Sequence, residues 1–313
     1  MNKTGIIGGA GYIGSYITKT FLENGYRLKV STTDISNKRK YVHLENLPNA
    51  SRLEITETNI LEPDSLKSFV AGCDILIHSG TPFQLDVEDP QKDLFEPTVN
   101  GTENVLNIIR QVPSIKKVVM LSSVAAYNTS FPLPAENRSP DHLYTEEDAP
   151  FMHEENHHYS HAKFYADQIV REFMESHPEN GFEIVSLYPT FAVGKPLSGR
   201  QDSTSVGLQY MFKNHLAPNS FMEMLYKENV ELAMVDVSDI AKAAFKAATT
   251  DGLHGRNYFL SSESWTVSDI SRILNKEEPV DKPRTVYSNS LASRDLGVEF
   301  TSPQVSLNQF ENE

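Results

Sequence analysis

Cysteine is all but missing from this chain: Cys73 is the one thiol in 313 residues. That excludes an internal disulfide and any zinc site built on cysteines, and the residue is expected to pack as a small hydrophobe ahead of a strand. Long apolar runs are missing too. No stretch approaches the ~18 apolar residues of a membrane-spanning helix, and Thr4 already opens a strand without the charged, apolar and small-residue succession of a secretory leader. The expected location is the cytoplasm, with no membrane partner. Positive charge is scarce, 28 Lys and Arg against 42 Asp and Glu, for a net charge of -14. The carboxylates are spread along the chain with a local excess at 145–155, so the surface repels nucleic acid and anionic lipid and favours solubility. Repeats and low-complexity tracts are lacking. The least regular stretch, 128–156, carries four prolines among polar residues and predicts one long loop.

What is present is a regular alternation. Short apolar runs at 4–7, 27–32, 52–56, 74–78, 116–121 and 182–188 read as strands, and helical patterns separate them. Ile13, Ile17 and Phe21 form one stripe closed by Gly25; Leu66, Phe69 and Val70 form another closed by Gly72; the spacing of Phe95, Val99, Thr102, Leu106 and Ile109 predicts a long helix over 92–111. The expected fold is α/β, a doubly wound parallel sheet of the Rossmann type, and 39% hydrophobic content suffices for its core. Beyond residue 190 the pattern loosens. Val230 to Val235 predicts a strand, Ser238 a helix cap, and Thr266 with Asp269 a capping box. Residues 1–190, with 229–260 returning, are assigned to the Rossmann domain, and 191–313 mainly to a smaller, discontinuous C-terminal lobe on the substrate side.

Gly8-Gly9-Ala10-Gly11-Tyr12-Ile13-Gly14 follows the first strand and opens the first helix. In that context glycines permit a tight turn and close backbone approach, so a pyrophosphate can sit on the helix N-terminus. A plain structural turn is the competing reading, and the strand, turn, helix and second strand in sequence argue against it. Asp34 lies where an acidic residue would hold the ribose hydroxyls of NAD. Lys38, Arg39 and Lys40 follow it and suit a 2'-phosphate, although a solvated helix start explains them equally well.

Tyr159 and Lys163 stand one helical turn apart, on a helix whose Ala162, Tyr165, Ala166, Ile169, Val170 and Phe173 recur as a buried stripe. A tyrosine titrates near 10 and needs a fixed cation to pass a proton near neutrality. Ser122 and Ser123 end the strand Val118 to Leu121, where the loops of a parallel sheet build active sites. The combination suggests a nicotinamide-dependent oxidoreductase.

These motifs, with Asp74 to His78, Val99-Asn100-Gly101-Thr102, Tyr188-Pro189-Thr190 and Val235 to Ile240, resemble the extended branch of the short-chain dehydrogenase/reductase family across nearly the whole chain. His78 to Pro82 and Pro189 to Gly194 look most like dihydroflavonol reductase and related aldehyde or carbonyl reductases. The resemblance implies Tyr159 as proton donor, Lys163 as the group that binds the nicotinamide ribose and lowers the tyrosine pKa, and Ser123, rather than Ser122, as the partner of the substrate carbonyl. It further implies cofactor contacts from Gly8, Gly11, Tyr12, Ile13, Gly14, Gly80, Thr81, Pro82, Pro189 and Val193, and from Tyr159 and Lys163 themselves. Such reductases carry an arginine after the second strand where Thr33 stands here, while Lys40 matches a second basic position. NADP is favoured over NAD on that ground. The expected substrate is a small carbonyl compound, the expected state a monomer or homodimer, and no metal is required. His157 and His161 have the i, i+4 spacing of metal ligands, but a polar helix entry beside the substrate mouth is the simpler reading. Met211, Phe212, Phe221, Met222, Met224 and Leu225 supply apolar packing, part of it available to line a pocket. A nucleotide-sugar epimerase of the same branch and a catalytically silent dinucleotide sensor are the alternatives. Val124 and Ala125 replace the Asp-Glu pair of a sugar dehydratase.

Overall fold

The computed structural model describes residues 3–81, 88–179, 181–199 and 203–310. The strands are β1 Lys3–Ile7, β2 Arg27–Thr32, β3 Leu53–Glu57, β4 Ile75–His78, β5 Lys117–Leu121, β6 Glu183–Pro189, β7 Phe191–Val193, β8 Glu231–Asp236, β9 Asn257–Leu260 and β10 Ser264–Thr266. The α-helices are α1 Tyr12–Glu23, α2 Val42–Glu45, α3 Pro63–Val70, α4 Gly101–Ile109, α5 His158–Ser176, α6 Thr204–Asn214, α7 Ser220–Lys227, α8 Val237–Thr249, α9 Val267–Leu274, α10 Ser290–Leu296 and α11 Pro303–Asn308. Seven strands pair in the order β3-β2-β1-β4-β5-β6-β9, all parallel. This is the doubly wound order with a seventh strand appended, and its reversal between β1 and β4 opens a crevice at the carboxyl ends of the strands. One face of the sheet is covered by α1 and α8, whose Ile17, Phe21, Ile240 and Ala244 share a cluster with Ile6, Val30 and Val119. On the other face α3, α4 and α5 bury Phe69, Leu106 and Val170 against Leu76 and Val118. Cys73 is fully buried there.

Several sequence expectations are corrected. The helix predicted over 92–111 begins as a π-helix, Gln91–Asn100, before continuing as α4. Pro97 lies inside it and offers no N–H to an i-4 carbonyl, and the wider register accommodates that loss. Asp236, not Ser238, caps α8: its Oδ1 accepts from the Ser238 amide at 2.7 Å and from the Ser238 hydroxyl. Tyr165 is exposed, at 39%, and does not belong to the buried stripe of α5. The Thr266 cap forms, with Thr266 Oγ1 accepting from the Asp269 amide.

The strand expected near 230–235 does not return to the main sheet. β8 pairs parallel with β7 and antiparallel with β10 in a separate three-stranded sheet. Of the segment 229–260, α8 and β9 lie with the seven-stranded sheet and β8 does not. Pro189 ends β6, where a missing N–H cannot continue a ladder. The chain then turns onto β7, and Phe191, Val193, Leu232, Met234, Phe212, Met222, Leu225 and Trp265 form a second apolar cluster with α9 and α11. Two phenols tie this region to α1. Tyr12 donates to the Gly194 carbonyl at 2.8 Å, and Tyr16 to the Lys195 carbonyl at 2.6 Å.

Candidate active site

The glycine turn sits where β1 ends at the crevice. Gly8 has φ +77°, a conformation open to glycine, and a Cβ on it would lie 2.4 Å from Gly80 Cα. A Cβ on Gly14 would lie 2.1 Å from the Gly8 carbonyl oxygen. The Gly8 amide donates to Ser31 Oγ at 3.0 Å, and Ser15 makes the first intrahelical bond of α1, to the Gly11 carbonyl. The amides of Tyr12, Ile13 and Gly14 therefore precede that bond and head the positive end of the helix. A groove runs here, lined by Gly8, Gly11, Tyr12, Ile13, Gly14, Ser79 and Thr81 on one side and by Pro196, Ser198 and Ser203 to Val206 on the other.

Gly80 does not line the groove. It packs back to back with Gly8, and this close approach of the β1 and β4 loops is its contribution. Pro82 lies outside the described residues. The Val193 side chain is fully buried in the second apolar cluster, and the cavity wall is made by Pro189, Thr190, Phe191 and Ala192. At the exposed end of β2, Lys40 Nζ donates to Thr33 Oγ1 at 2.7 Å. Asp34 beside them accepts from the amide and hydroxyl of Ser36, which hold its carboxyl below the usual carboxylate range.

Ile13, Ser79, Thr81 and Ser205 also belong to a second cavity that continues the groove. Its floor is Ser123, Tyr159 and Lys163. Ser123 follows β5 and accepts from the Ala125 amide at 3.2 Å, which fixes its hydroxyl as the cap of a short turn. Ser123 and Tyr159 stand together on this floor. Burial pushes the Tyr159 hydroxyl up to about 12, and the Ser123 hydroxyl opposes this. Lys163 Nζ lies 6.0 Å from the Tyr159 ring centroid and donates to Thr81 Oγ1. Burial pulls Lys163 down to about 8. Ser122 also lines the cavity and the smaller one behind it, and its hydroxyl is buried without a hydrogen-bond partner among the described residues.

The outer walls are apolar: Phe131, Pro132, Leu208, Phe221, Leu225 and Leu232, with His157 packed edge-on against Phe221 at 4.9 Å. Of the candidate histidines, His157 reaches this wall, while His161 Nε2 bonds the His153 carbonyl at 2.8 Å. Among the described residues no group of three or more His, Cys, Asp or Glu is placed to hold a metal. No helix among them is long and apolar enough to cross a membrane. The sequence reading missed Ser79, Ser205 and Leu208, for which the sequence carries no local signal.

The sequence profile of the NAD dependent epimerase/dehydratase family matches residues 5–261. The chain belongs to this family. Within it, the extended short-chain dehydrogenase/reductase is 30% identical to a cinnamoyl-CoA reductase of Medicago truncatula, covering 98% of this chain and 94% of that one. It is 29% identical to an anthocyanidin reductase of Arabidopsis thaliana, covering 88% and 81%. The solved yeast methylglyoxal/isovaleraldehyde reductase Gre2, complexed with NADPH, has a TM-score of 0.80 at 23% identity, covering 98% of this chain and 96% of that one. A UDP-glucose 4-epimerase of Thermotoga maritima has a TM-score of 0.73 at 19%, covering 98% and 96%. At such identities the two structures bear on the fold alone. This member of the extended family is an NAD(P)-dependent oxidoreductase.

Proposed function

We propose that the protein reduces an aldehyde or ketone with NADPH. The observation that carries this reading is the meeting of Ser123, Tyr159 and Lys163 on the floor of an apolar cavity continuous with the glycine-turn groove. The glycines whose Cβ atoms would clash fit a dinucleotide pyrophosphate against the amides of α1, and the Rossmann sheet at 1–190 would hold it. The reduced nicotinamide supplies the hydride when bound. Ser123 orients the carbonyl oxygen and Tyr159 gives it a proton as negative charge develops; at neutral pH a hydroxyl raised to about 12 carries that proton. Lys163 holds the ribose and keeps positive charge close to the tyrosine left behind. Residues 191–313 form most of the substrate side, where the apolar walls suit a lipophilic carbonyl better than a nucleotide diphosphate sugar.

Steady-state oxidation of NADPH and NADH across aldehydes, diketones and aromatic ketones tests the reading. Turnover with at least one class is expected. Silence across the panel with the dinucleotide still bound would move the assignment to an epimerase or a sensor. The preference for NADPH follows from Lys40 beside Thr33. Lys40→Ala is expected to raise the KM for NADPH about tenfold, the worth of one charge-assisted phosphate contact, and to leave the KM for NADH within about twofold. Equal losses for both would remove the 2'-phosphate role from Lys40.

A further inference from the structure

Lys163 is buried, and a buried ammonium sheds its proton unless a fixed anion faces it. One turn further along α5, on the same face, stands Asp167, 5% exposed. The two side chains line one small cavity behind the active site, with His78, Thr98, Ser122 and Ser186. The Asp167 carboxylate is clamped from two directions. Oδ1 accepts from the Tyr188 hydroxyl of β6 at 2.6 Å, and Oδ2 from Arg171 Nε at 2.6 Å. The Arg171 guanidinium in turn lies 5.0 Å from the Tyr127 ring centroid, and the Tyr127 hydroxyl accepts from Asn257 Nδ2 at 3.2 Å. A carboxylate held by α5, β6, β9 and the turn after β5 cannot swing away from the lysine.

We propose that Asp167 is the fixed counter-charge of Lys163, a positioning residue that keeps the lysine an ammonium beside Tyr159 and aims it at Thr81. The assignment rests on the role given to Lys163 above. The other ionisable groups packed around the lysine do not substitute for it. His78 on β4 is driven down to about 3 by burial and by Lys163, so it is neutral. Tyr159 on α5 and Tyr188 on β6 are pushed up by burial and stay uncharged near neutrality. Arg171 is a cation on the far side of the carboxylate. Asp167 is the one charge that raises Lys163 against its burial, among the described residues.

The test is competitive labelling of the ligand-free full chain with acetic anhydride across pH 6–11, with the Lys163 peptide quantified by mass spectrometry. In the unaltered protein Lys163 is expected to titrate at about 8. In Asp167→Asn the midpoint is expected to fall by about one unit, so that labelling at pH 7 is about fivefold faster. Asp167→Glu restores the original midpoint. Arg171→Gln removes a cation from the same cluster and is expected to move the midpoint upward, which a loosened helix would not do. An unmoved midpoint in Asp167→Asn, or a downward shift in Arg171→Gln, overturns the proposal. Because labelling needs no substrate, failure to find a carbonyl substrate counts against the proposed reaction and not against the counter-charge.

Discussion

Tyr159→Phe is expected to lower kcat by about a thousandfold on any carbonyl the protein reduces, within the range for loss of a positioned general acid. The ring stays, so the packing of α5 and the wall of the cavity are kept. What disappears is the hydroxyl that stands with Ser123 in the cavity. Dinucleotide affinity, read by quenching of protein fluorescence or by NADPH emission, should stay within about twofold, because the groove of the glycine turn is untouched. A Tyr159→Phe enzyme that keeps a tenth of its turnover would take the proton transfer away from this residue and leave Ser123 or water to supply it.

Gly14→Ala is expected to weaken dinucleotide binding by at least about a hundredfold. The new methyl would sit 2.1 Å from the Gly8 carbonyl oxygen and 2.8 Å from Gly9 Cα, and both neighbours are backbone. No side chain can rotate to relieve the contact. Either the turn opens or α1 shifts, and both displace the amides that head the helix. Overpacking of this kind costs about 1–3 kcal/mol of stability, so the melting temperature should fall as well. Gly72→Ala supplies the comparison. Nothing lies within 4 Å of its would-be Cβ, and its φ of +72° carries backbone strain alone. It should lower the melting temperature without weakening the dinucleotide. Equal binding losses in both variants would show that global loosening, not the cradle, sets affinity.

The parts of this site that were readable in the sequence are those where one residue type alone meets a physical demand. Gly8 and Gly14 are legible because only hydrogen fits against the facing backbone. Tyr159 and Lys163 are legible because helical periodicity fixes which face they share, and the strand pattern 116–121 places Ser123 at a strand end. Legibility fails where two residue types can do one job, as at Asp236 and Ser238, both good caps separated by a valine. It fails again where pairing is non-local. β7 has three residues, too few for a pattern, and nothing local tells β8 that it joins β7 and β10 instead of the main sheet. Val193 was assigned to the cofactor by likeness of motif, and its side chain shares the second apolar cluster with Phe191 without lining the cavity as Phe191 does. Asp167 passed unnoticed because one acid on a helix reads as a solvated position, and its burial becomes visible only when Tyr188 and Arg171 arrive from elsewhere in the chain. The π winding at 91–100 has the same cause, since Pro97 announces a disturbed helix without saying which register resolves it.

The phenols of Tyr12 and Tyr16 make α1 a shared partition. One side of that helix heads the groove proposed for the dinucleotide, and the other is pinned through two carbonyls to the chain leaving β7, which carries Phe191 and Ala192 into the wall of the apolar cavity. The two rooms therefore have a wall in common. Exchanging the substrate lobe for that of a relative means supplying new acceptors for both hydroxyls, or the swapped lobe inherits a partition that no longer holds the cofactor room in shape.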